Sequence, residues 1–244
     1  VRAGVAFDEA GRARAGMGVA VADLTGEGRW SIAIGNFANE TTALYVRRTL
    51  ADQLPVFQDE AISNGIAPPT RPELTFGVFF FDSDLDGRLD IFAANGHLEA
   101  DINLVQPSQH YEQPPQLLWN CGPEFENEFV ALEPSQCGKD FVKRMVGRGA
   151  SFADIDGDGD LDLLITSVGG SPRLLRNDQQ LEHHWLRVRL TGTTGVNRTA
   201  IGTWIDIHTT GGIRSQQVMP TRSYLSQAEL PVTFGLGEID RVEK

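Results

Sequence analysis

The sequence has few features that would place it in a membrane or on a nucleic acid. In its 244 residues, no apolar run approaches the roughly 18 residues of a membrane span. Basic residues are outnumbered, with 21 Lys and Arg against 33 Asp and Glu, so the formal net charge is -12. Nucleic acids and anionic lipid surfaces repel such a chain. We therefore expect no nucleic-acid partner and no membrane insertion.

Cysteine is also scarce. Cys121 and Cys137 are the two cysteines of the chain and lie in a polar segment without the nearby histidine pair of a zinc site. We predict a disulfide between them, which requires an oxidising compartment, and two free thiols are the alternative. The chain begins at Val1 without a signal-peptide pattern. We expect a processed or partial chain, so this absence does not decide its location.

Aspartate, by contrast, is concentrated in residues 154–162, where it occupies every second position. Carboxylates this close together raise one another's pKa unless a cation lies among them. Calcium accepts six to eight oxygen ligands in a flexible shell, and Gly159 permits the sharp turn that such a loop needs. The pattern therefore predicts a calcium loop. A solvated hairpin turn without metal is the alternative for any Asp-Gly run.

The flanks of this loop exclude the helical type of calcium site. That type needs Glu at loop position 12, where this chain has Ile165. The neighbouring apolar runs are too short and too continuous for amphipathic helices and predict strands buried on both faces.

The same pattern occurs three times without gaps, over residues 18–32, 77–91 and 149–163. Each unit is expected to continue into a third short strand, at 43–46, 116–120 and 173–177. A fourth is predicted at 55–61 and 128–132, and residues 5–10 predict the fourth strand of a preceding unit. Such units are typical of propeller blades. We therefore predict an all-β protein with a partial, three-blade propeller.

The three loops differ in their ligands. Two of them carry the full side-chain set, which is Asp82, Asp84, Asp86 and Asp90 in one and Asp154, Asp156, Asp158 and Asp162 in the other. The backbone carbonyls of Arg88 and Asp160 are expected to complete these two Ca²⁺ sites. A third, weaker set consists of Asp23, Thr25, Glu27 and Ser31 with the carbonyl of Arg29. For that loop an empty or sodium-like site is the alternative.

The last quarter of the chain also predicts β structure. Alternating strands are expected at 185–190, 204–209, 214–219 and 232–234, with turns at Gly192, Gly195, Gly211 and Gly212. We predict blades over residues 1–180, with calcium loops at 23–31, 82–90 and 154–162. Residues 181–244 are predicted to form a small antiparallel β domain beside the last blade. His183 and His184 would point to opposite faces of a strand and are not expected to share a ligand.

These motifs resemble two known families. The Gly-rich strand starts, the Asp-x-Asp-x-Asp-Gly-x-x-Asp loops and the leucine-rich third strands are similar to FG-GAP (VCBS-type) repeats. Residues 182–190, 197–203, 223–227 and 234–237 resemble the ASPIC/UnbV domain of the cartilage acidic protein-like family. The resemblance implies a secreted, calcium-stabilised binding protein without established catalytic residues. It also implies that the last domain is truncated, since the family's final strand would run beyond Lys244.

We predict a non-catalytic, calcium-stabilised extracytoplasmic interaction protein, which is secreted, periplasmic or on the cell surface. It would act either in matrix or cell-surface binding or as an accessory subunit of a larger envelope or cell-surface assembly, with a protein partner or larger complex. The connection 96–115, which contains Tyr111 and a Pro pair, is the expected contact surface. A carbohydrate-binding lectin or a polysaccharide-acting enzyme is the alternative, because a propeller fold excludes neither.

Overall fold

A computed structural model describes residues 2–8, 10–49, 52–193 and 197–244. The described chain is all-β apart from three one-turn helices. The first two repeats each form a four-stranded antiparallel sheet, in the order β1-β2-β3-β4 and β5-β6-β7-β8. Their strands are β1 Val19–Asp23, β2 Trp30–Ile34, β3 Ala43–Arg47, β4 Phe57–Asp59, β5 Thr75–Phe81, β6 Asp90–Asn95, β7 Gln116–Asn120 and β8 Phe129–Ala131.

The third repeat has only three strands in the described chain, β9 Gly147–Ala153, β10 Asp162–Ser167 and β11 Arg173–Leu175, in the order β11-β10-β9. Each acidic loop joins the first two strands of its sheet, as predicted. The predicted strand at 5–10 is wrong for the residues that the structure describes there, which form turns and bends. Just before that segment, the carbonyl of Ala3 accepts a backbone hydrogen bond from the amide of Phe57 in β4, at 2.8 Å.

The first strands of the three repeats lie side by side, with β5 between β1 and β9. The repeated glycine at the strand start makes this approach possible. A Cβ atom on Gly18 would stand 2.0 Å from the carbonyl oxygen of Phe76, and one on Gly77 would stand 2.7 Å from that of Arg148. Every residue of β5 and β6 is buried, as their continuous apolar runs predicted.

An aromatic cluster fills the space between the second and third sheets. The ring of Phe79 lies 5.0 Å from Phe92 and 5.2 Å from Phe152, and Phe81 lies 5.9 Å from Phe152, measured between centroids. Aromatic pairs at these distances stabilise a core beyond the area that they bury. The acidic loops therefore extend from strands that are packed in an aromatic core. The described sheets do not close into a ring.

The C-terminal segment (residues 181–244) forms three antiparallel strand pairs and encloses its own hydrophobic cluster around Phe234. β12 pairs with β17, β13 with β14, and β15 with β16. The strands are β12 His184–Val188, β13 Trp204–Thr209, β14 Gly212–Gln217, β15 Thr221–Arg222, β16 Ser226–Gln227 and β17 Val232–Gly237. The predicted turn at Gly195 lies outside the described residues. The segment was predicted to lie beside the last repeat, and it contacts all three repeats.

Three short helices lie in the connections, α1 Ala67–Thr70, α2 Ile102–Val105 and α3 Pro134–Cys137. No helix of the described chain has the length and apolar character to cross a membrane.

The predicted disulfide is not present, and this prediction is wrong for the structure: both cysteines are free. Cys121 follows β7, and its thiol donates to the carbonyls of Asn127 and Glu128, at 3.0 and 3.3 Å. Cys137, at the end of α3, packs instead against the main hydrophobic core. The two side chains therefore have different neighbours, although the spacing along the chain would allow a bridge.

Candidate metal centres

The second loop (residues 82–90) brings three carboxylates together at the end of β5. Asp82, Asp84 and Asp86 each present an oxygen, and these oxygens lie within 4.8 Å of one another. Backbone amides hold the loop in this shape, since Gly87 donates to Asp82 Oδ2 at 2.8 Å and Arg88 donates to Asp86 Oδ1 at 2.7 Å. The sequence predicted these three side chains as ligands of one ion, and the fold places them together.

Asp82 is the most confined of the three. Its side chain is buried, and its Oδ1 has no hydrogen-bond partner among the residues that the structure describes. Burial raises the pKa of Asp82 well above its usual range, and the nearby carboxylates of Asp90, Asp86 and Asp84 raise it further. A buried anionic oxygen without a partner is costly. Oδ1 of Asp82 is therefore a buried acceptor that no donor of the described chain satisfies.

The ninth loop position has a different role from the first, third and fifth. Asp90 accepts hydrogen bonds from the amides of Ser83, at 2.9 Å, and Asn120, at 2.8 Å. Asp162 repeats this arrangement with the amides of Ile155 and Asn177, both at 2.9 Å. Each of these carboxylates ties its loop to the end of the third strand. Burial raises the pKa of Asp90 to about 7.

The third loop (residues 154–162) contains the second carboxylate cluster, formed by Asp154, Asp156 and Asp158 within 4.8 Å of one another. It is more open than the second loop, because Asp156 and Asp158 are exposed. Desolvation, together with the neighbouring carboxylates, raises the pKa of Asp158 and of Asp160. The side chain of Asp160 accepts a hydrogen bond from Gln179 at 2.7 Å. Its carbonyl, like that of Arg88, stays a predicted ligand.

The first loop (residues 23–31) satisfies its leading carboxylate without metal. Asp23 Oδ1 accepts from the amides of Thr25 and Gly26, at 3.2 and 3.1 Å, and Oδ2 accepts from the amide of Gly28 at 2.6 Å. Glu27 pairs with Arg29 at the surface. Ser31 is buried within β2. The arrangement fits a metal-free loop, which was one of the two alternatives for this repeat.

Two side chains near the second loop also engage its carboxylates. Trp119 donates from Nε1 to Asp84 Oδ2 at 2.9 Å. The Arg88 guanidinium pairs with Asp86, and its Nε donates to the carbonyl of Asn120 at 3.0 Å. Arg88 thus places positive charge beside Asp86, but Oδ1 of Asp82 stays without a hydrogen-bond partner among the described residues.

The C-terminal segment covers the second loop. A Cβ atom on Gly235 would stand 2.1 Å from Asp82 Oδ2, so the backbone of β17 lies directly on that carboxylate. The amide of Gly237 donates to the carbonyl of Leu85 at 2.8 Å. His183 Nδ1 lies 2.6 Å from the carbonyl oxygen of Asp84. Any ion held by Asp82 would therefore be enclosed by the second loop and by the C-terminal segment.

The third loop is covered in the same way. Arg187 of β12 donates to Asp154 Oδ2 at 3.1 Å and pairs with Glu229. Glu229 in turn accepts from the amide of Asp154 at 3.0 Å. A Cβ atom on Gly159 would stand 2.1 Å from the indole of Trp185. These contacts are not predictable from the sequence, because their residues lie in different segments and follow no motif.

The donor sets fit calcium on chemical grounds. Both clusters offer only oxygen atoms, the ligands preferred by hard divalent cations, and the second loop has a buried oxygen with no other partner. A bound Ca²⁺ would supply the positive charge that the clustered carboxylates lack. Asp82, Asp84 and Asp86 would hold it in the second loop, and Asp154, Asp156 and Asp158 in the third.

The last part of the chain is similar to a known protein family. The family model described as "ASPIC and UnbV" matches residues 192–244, which confirms that part of the resemblance. The chain is 29% identical over 229 residues to cartilage acidic protein 1 of Homo sapiens, covering 91% of this chain and 31% of that protein. It is 28% identical over 228 residues to the protein of the same name from Mus musculus, with coverages of 91% and 32%. The chain spans about a third of the length of these curated relatives.

Proposed function

We propose that this chain is a calcium-stabilised, non-catalytic binding module of an extracytoplasmic protein. In this proposal the three sheets are FG-GAP-type propeller blades, and metal in the second and third loops holds the C-terminal segment against them. The observation that carries the proposal is the buried, unpartnered Oδ1 of Asp82 within a cluster of three carboxylates. Without a cation, this cluster would oppose the packing of β17 onto the loop.

The arrangement of the carboxylates favours a structural role over the glycosidase alternative. A glycosidase places two carboxyl groups about 5 to 9.5 Å apart on either side of the scissile bond. Here the clustered oxygens lie within 4.8 Å of one another on single hairpins, and Gly235 packs against Asp82. The second loop leaves no room for a sugar between its carboxylates.

The connection after β6 supports the proposed interaction surface. Leu104 and Val105 of α2 are each 78% exposed, and Leu98 is 50% exposed. Tyr111, the residue singled out in this connection, is half-buried, and its carbonyl accepts from the amide of His97 at 2.9 Å. The aliphatic side chains of α2, more than Tyr111, are therefore the proposed contact for a protein partner.

A thermal melt with and without calcium tests the proposal. The full chain should unfold at a higher temperature in millimolar Ca²⁺ than in EDTA, because an ion bound only by the folded chain stabilises it. Hydrolysis of chromogenic glycosides is measured in both samples. An unchanged melting temperature would contradict the structural ion, and glycoside hydrolysis that disappears in EDTA while the fold persists would favour the enzyme alternative.

A further inference from the structure

A cavity of about 440 Å³ lies between the first two strands of the repeats and the C-terminal segment. Its walls include Phe80 and Phe81 from β5 and Leu230 and Val232 from the C-terminal segment. Pockets for small organic molecules commonly have volumes of about 300 to 1,000 Å³ and mainly apolar walls. The cavity thus has the size and lining that remove the apolar part of a small ligand from water.

Two tryptophans stand in the wall of this cavity. Trp30 of β2 and Trp204 of β13 meet edge to face, with 5.0 Å between ring centroids. Trp204 is still 42% exposed, so the pair is not sealed inside the core. Because the pair joins the first repeat to the C-terminal segment, the cavity is formed only when these parts are together. The indoles also give the site a fluorescence signal.

Arg222 of β15 contributes the positively charged group of the lining. Its Nε is shielded from solvent and has no hydrogen-bond partner in the part of the chain that the structure describes. Burial lowers the pKa of Arg222, and no carboxylate contributes to that shift. A shielded guanidinium nitrogen without an acceptor is costly. Nε of Arg222 is therefore a donor that an acceptor group on a ligand would satisfy.

The carboxylates that line the cavity make contacts with groups other than Arg222. Asp23 accepts three amides of its own loop, and Glu229 is paired with Arg187 and with the amide of Asp154. Asp82 belongs to the carboxylate cluster of the second loop. No ion pair joins any of these groups to Arg222 among the described residues. Arg222 is therefore not neutralised by an acidic group of the same cavity.

We propose that this cavity binds an amphipathic monoanion, a carboxylate or sulfonate carried on an apolar body. The anionic head is held by the forked guanidinium of Arg222, and the body lies against Phe80, Phe81 and Leu230. Arginine suits this role because its planar group donates two parallel hydrogen bonds to such a head.

Three matched ten-carbon probes test the proposal: decanoate, decanol and decyltrimethylammonium. Each is titrated into the full chain in calcium-containing buffer, followed by calorimetry and tryptophan fluorescence. Decanoate should bind at one equivalent and at least tenfold more tightly than decyltrimethylammonium. Arg222→Met should weaken decanoate about tenfold, while decanol binding stays unchanged. Arg198→Met, which removes an exposed arginine of the same segment, should change neither.

Equal affinity of wild type for the anionic and cationic probes, or decanoate binding that survives Arg222→Met, would overturn the proposal. The comparison of probes needs no variant, so it tests the preference for an anionic ligand even if Arg222→Met does not fold. A second variant, Ala228→Phe, narrows the cavity while keeping Arg222. It should abolish the binding of decanoate and decanol together, and retained binding of either would place the ligand outside this cavity.

Discussion

Arg187 donates a hydrogen bond from Nη1 to Asp154 Oδ2, 3.1 Å away, and so joins the C-terminal segment to the first ligand position of the third loop. The Asp154 side chain is 3% exposed and that of Arg187 is 22% exposed. The pair is therefore largely shielded from water, where loss of one partner leaves an uncompensated charge. The same carboxylate therefore belongs to a candidate metal loop and to a joint between two parts of the chain.

Replacing Arg187 should destabilise the chain more in EDTA than in calcium. Arg187→Met leaves Asp154 and Glu229 without their guanidinium, and we expect a loss of about 2 kcal/mol in the free energy of unfolding without metal. Calcium at the third loop should offset part of this loss by supplying charge to Asp154. Urea unfolding in both buffers measures the difference. Arg189→Met, an exposed arginine of the same segment, is the control and should cost less than about 0.5 kcal/mol.

Asp82 and Asp23 should respond oppositely to amide substitution. Asp82→Asn removes a buried charge, so at neutral pH the metal-free chain should become slightly more stable and lose its stabilisation by calcium at the second loop. One site contributes about 1.4 kcal/mol when free calcium is ten times its dissociation constant. Asp23→Asn disrupts the amide contacts of the first loop and should destabilise the chain equally with and without calcium. Calcium titration by calorimetry, with thermal melts, compares the two. Identical behaviour of both variants would contradict the assignment of the second loop.

Metal-free protein should lose stability as the pH rises from about 4 to about 7. Burial raises the pKa of Asp90 from 3.8 to about 7, and that of Asp82 is raised in the same direction. The folded chain thus binds these protons more tightly than the unfolded chain, and the stabilisation is present below pH 4 and is lost through pH 7. Urea unfolding in EDTA over this range measures the slope. Calcium should reduce the slope, since it stabilises the ionised form, and Asp90→Asn should reduce it without calcium.

A single methyl group at Gly235 should separate the C-terminal segment from the second loop. The Cβ of Gly235→Ala would stand 2.1 Å from Asp82 Oδ2 and 2.5 Å from the backbone of Leu85, which cannot yield easily. We expect a loss of about 1 to 3 kcal/mol in the free energy of unfolding. Gly170→Ala is the matched control, because its Cβ would come no closer than 3.2 Å to a side-chain oxygen of Ser167. Equal effects of the two substitutions would contradict the packing of β17 onto the loop.

The two thiols should be free and slow to react. Burial raises the pKa of Cys137 to about 11 and also raises that of Cys121. Few thiolates are therefore present near neutral pH, and the thiolate is the reactive form. A colorimetric thiol reagent should detect two groups in guanidinium without reductant and react much more slowly with the native chain. An intact mass that rises by two hydrogens on reduction would show instead that the cysteines are bridged.

The hairpins were predictable from sequence because their determinants are local. The alternation of Asp with Gly sets the turn, and the apolar runs beside it set two buried strands, as in Phe81 opposite Asp90. The grouping of Asp82, Asp84 and Asp86 follows from the same nine residues. The difference between the first and second loops was also predictable, because the first loop has Thr25 and Ser31 where the second has carboxylates.

The contacts between distant segments were not predictable in this way. His183, Arg187 and Gly235 follow no spacing rule, and their roles depend on where the C-terminal segment lies. The predicted bridge between Cys121 and Cys137 failed for the same reason, since spacing along the chain does not fix the direction of a side chain.

The order in which the chain is made determines when the second loop is enclosed. Phe81 and Asp90 pair across nine positions, whereas His183 lies 99 positions from Asp84, and Arg214 lies 128 positions from Asp86. Contacts between near residues form before those between distant ones, because a shorter segment loses less entropy on closing. A nascent chain therefore completes this acidic hairpin long before Gly235 leaves the ribosome. Until then solvent reaches the whole hairpin, and afterwards Asp82 is buried beneath the C-terminal segment, whereas Asp84 and Asp86 stay partly exposed.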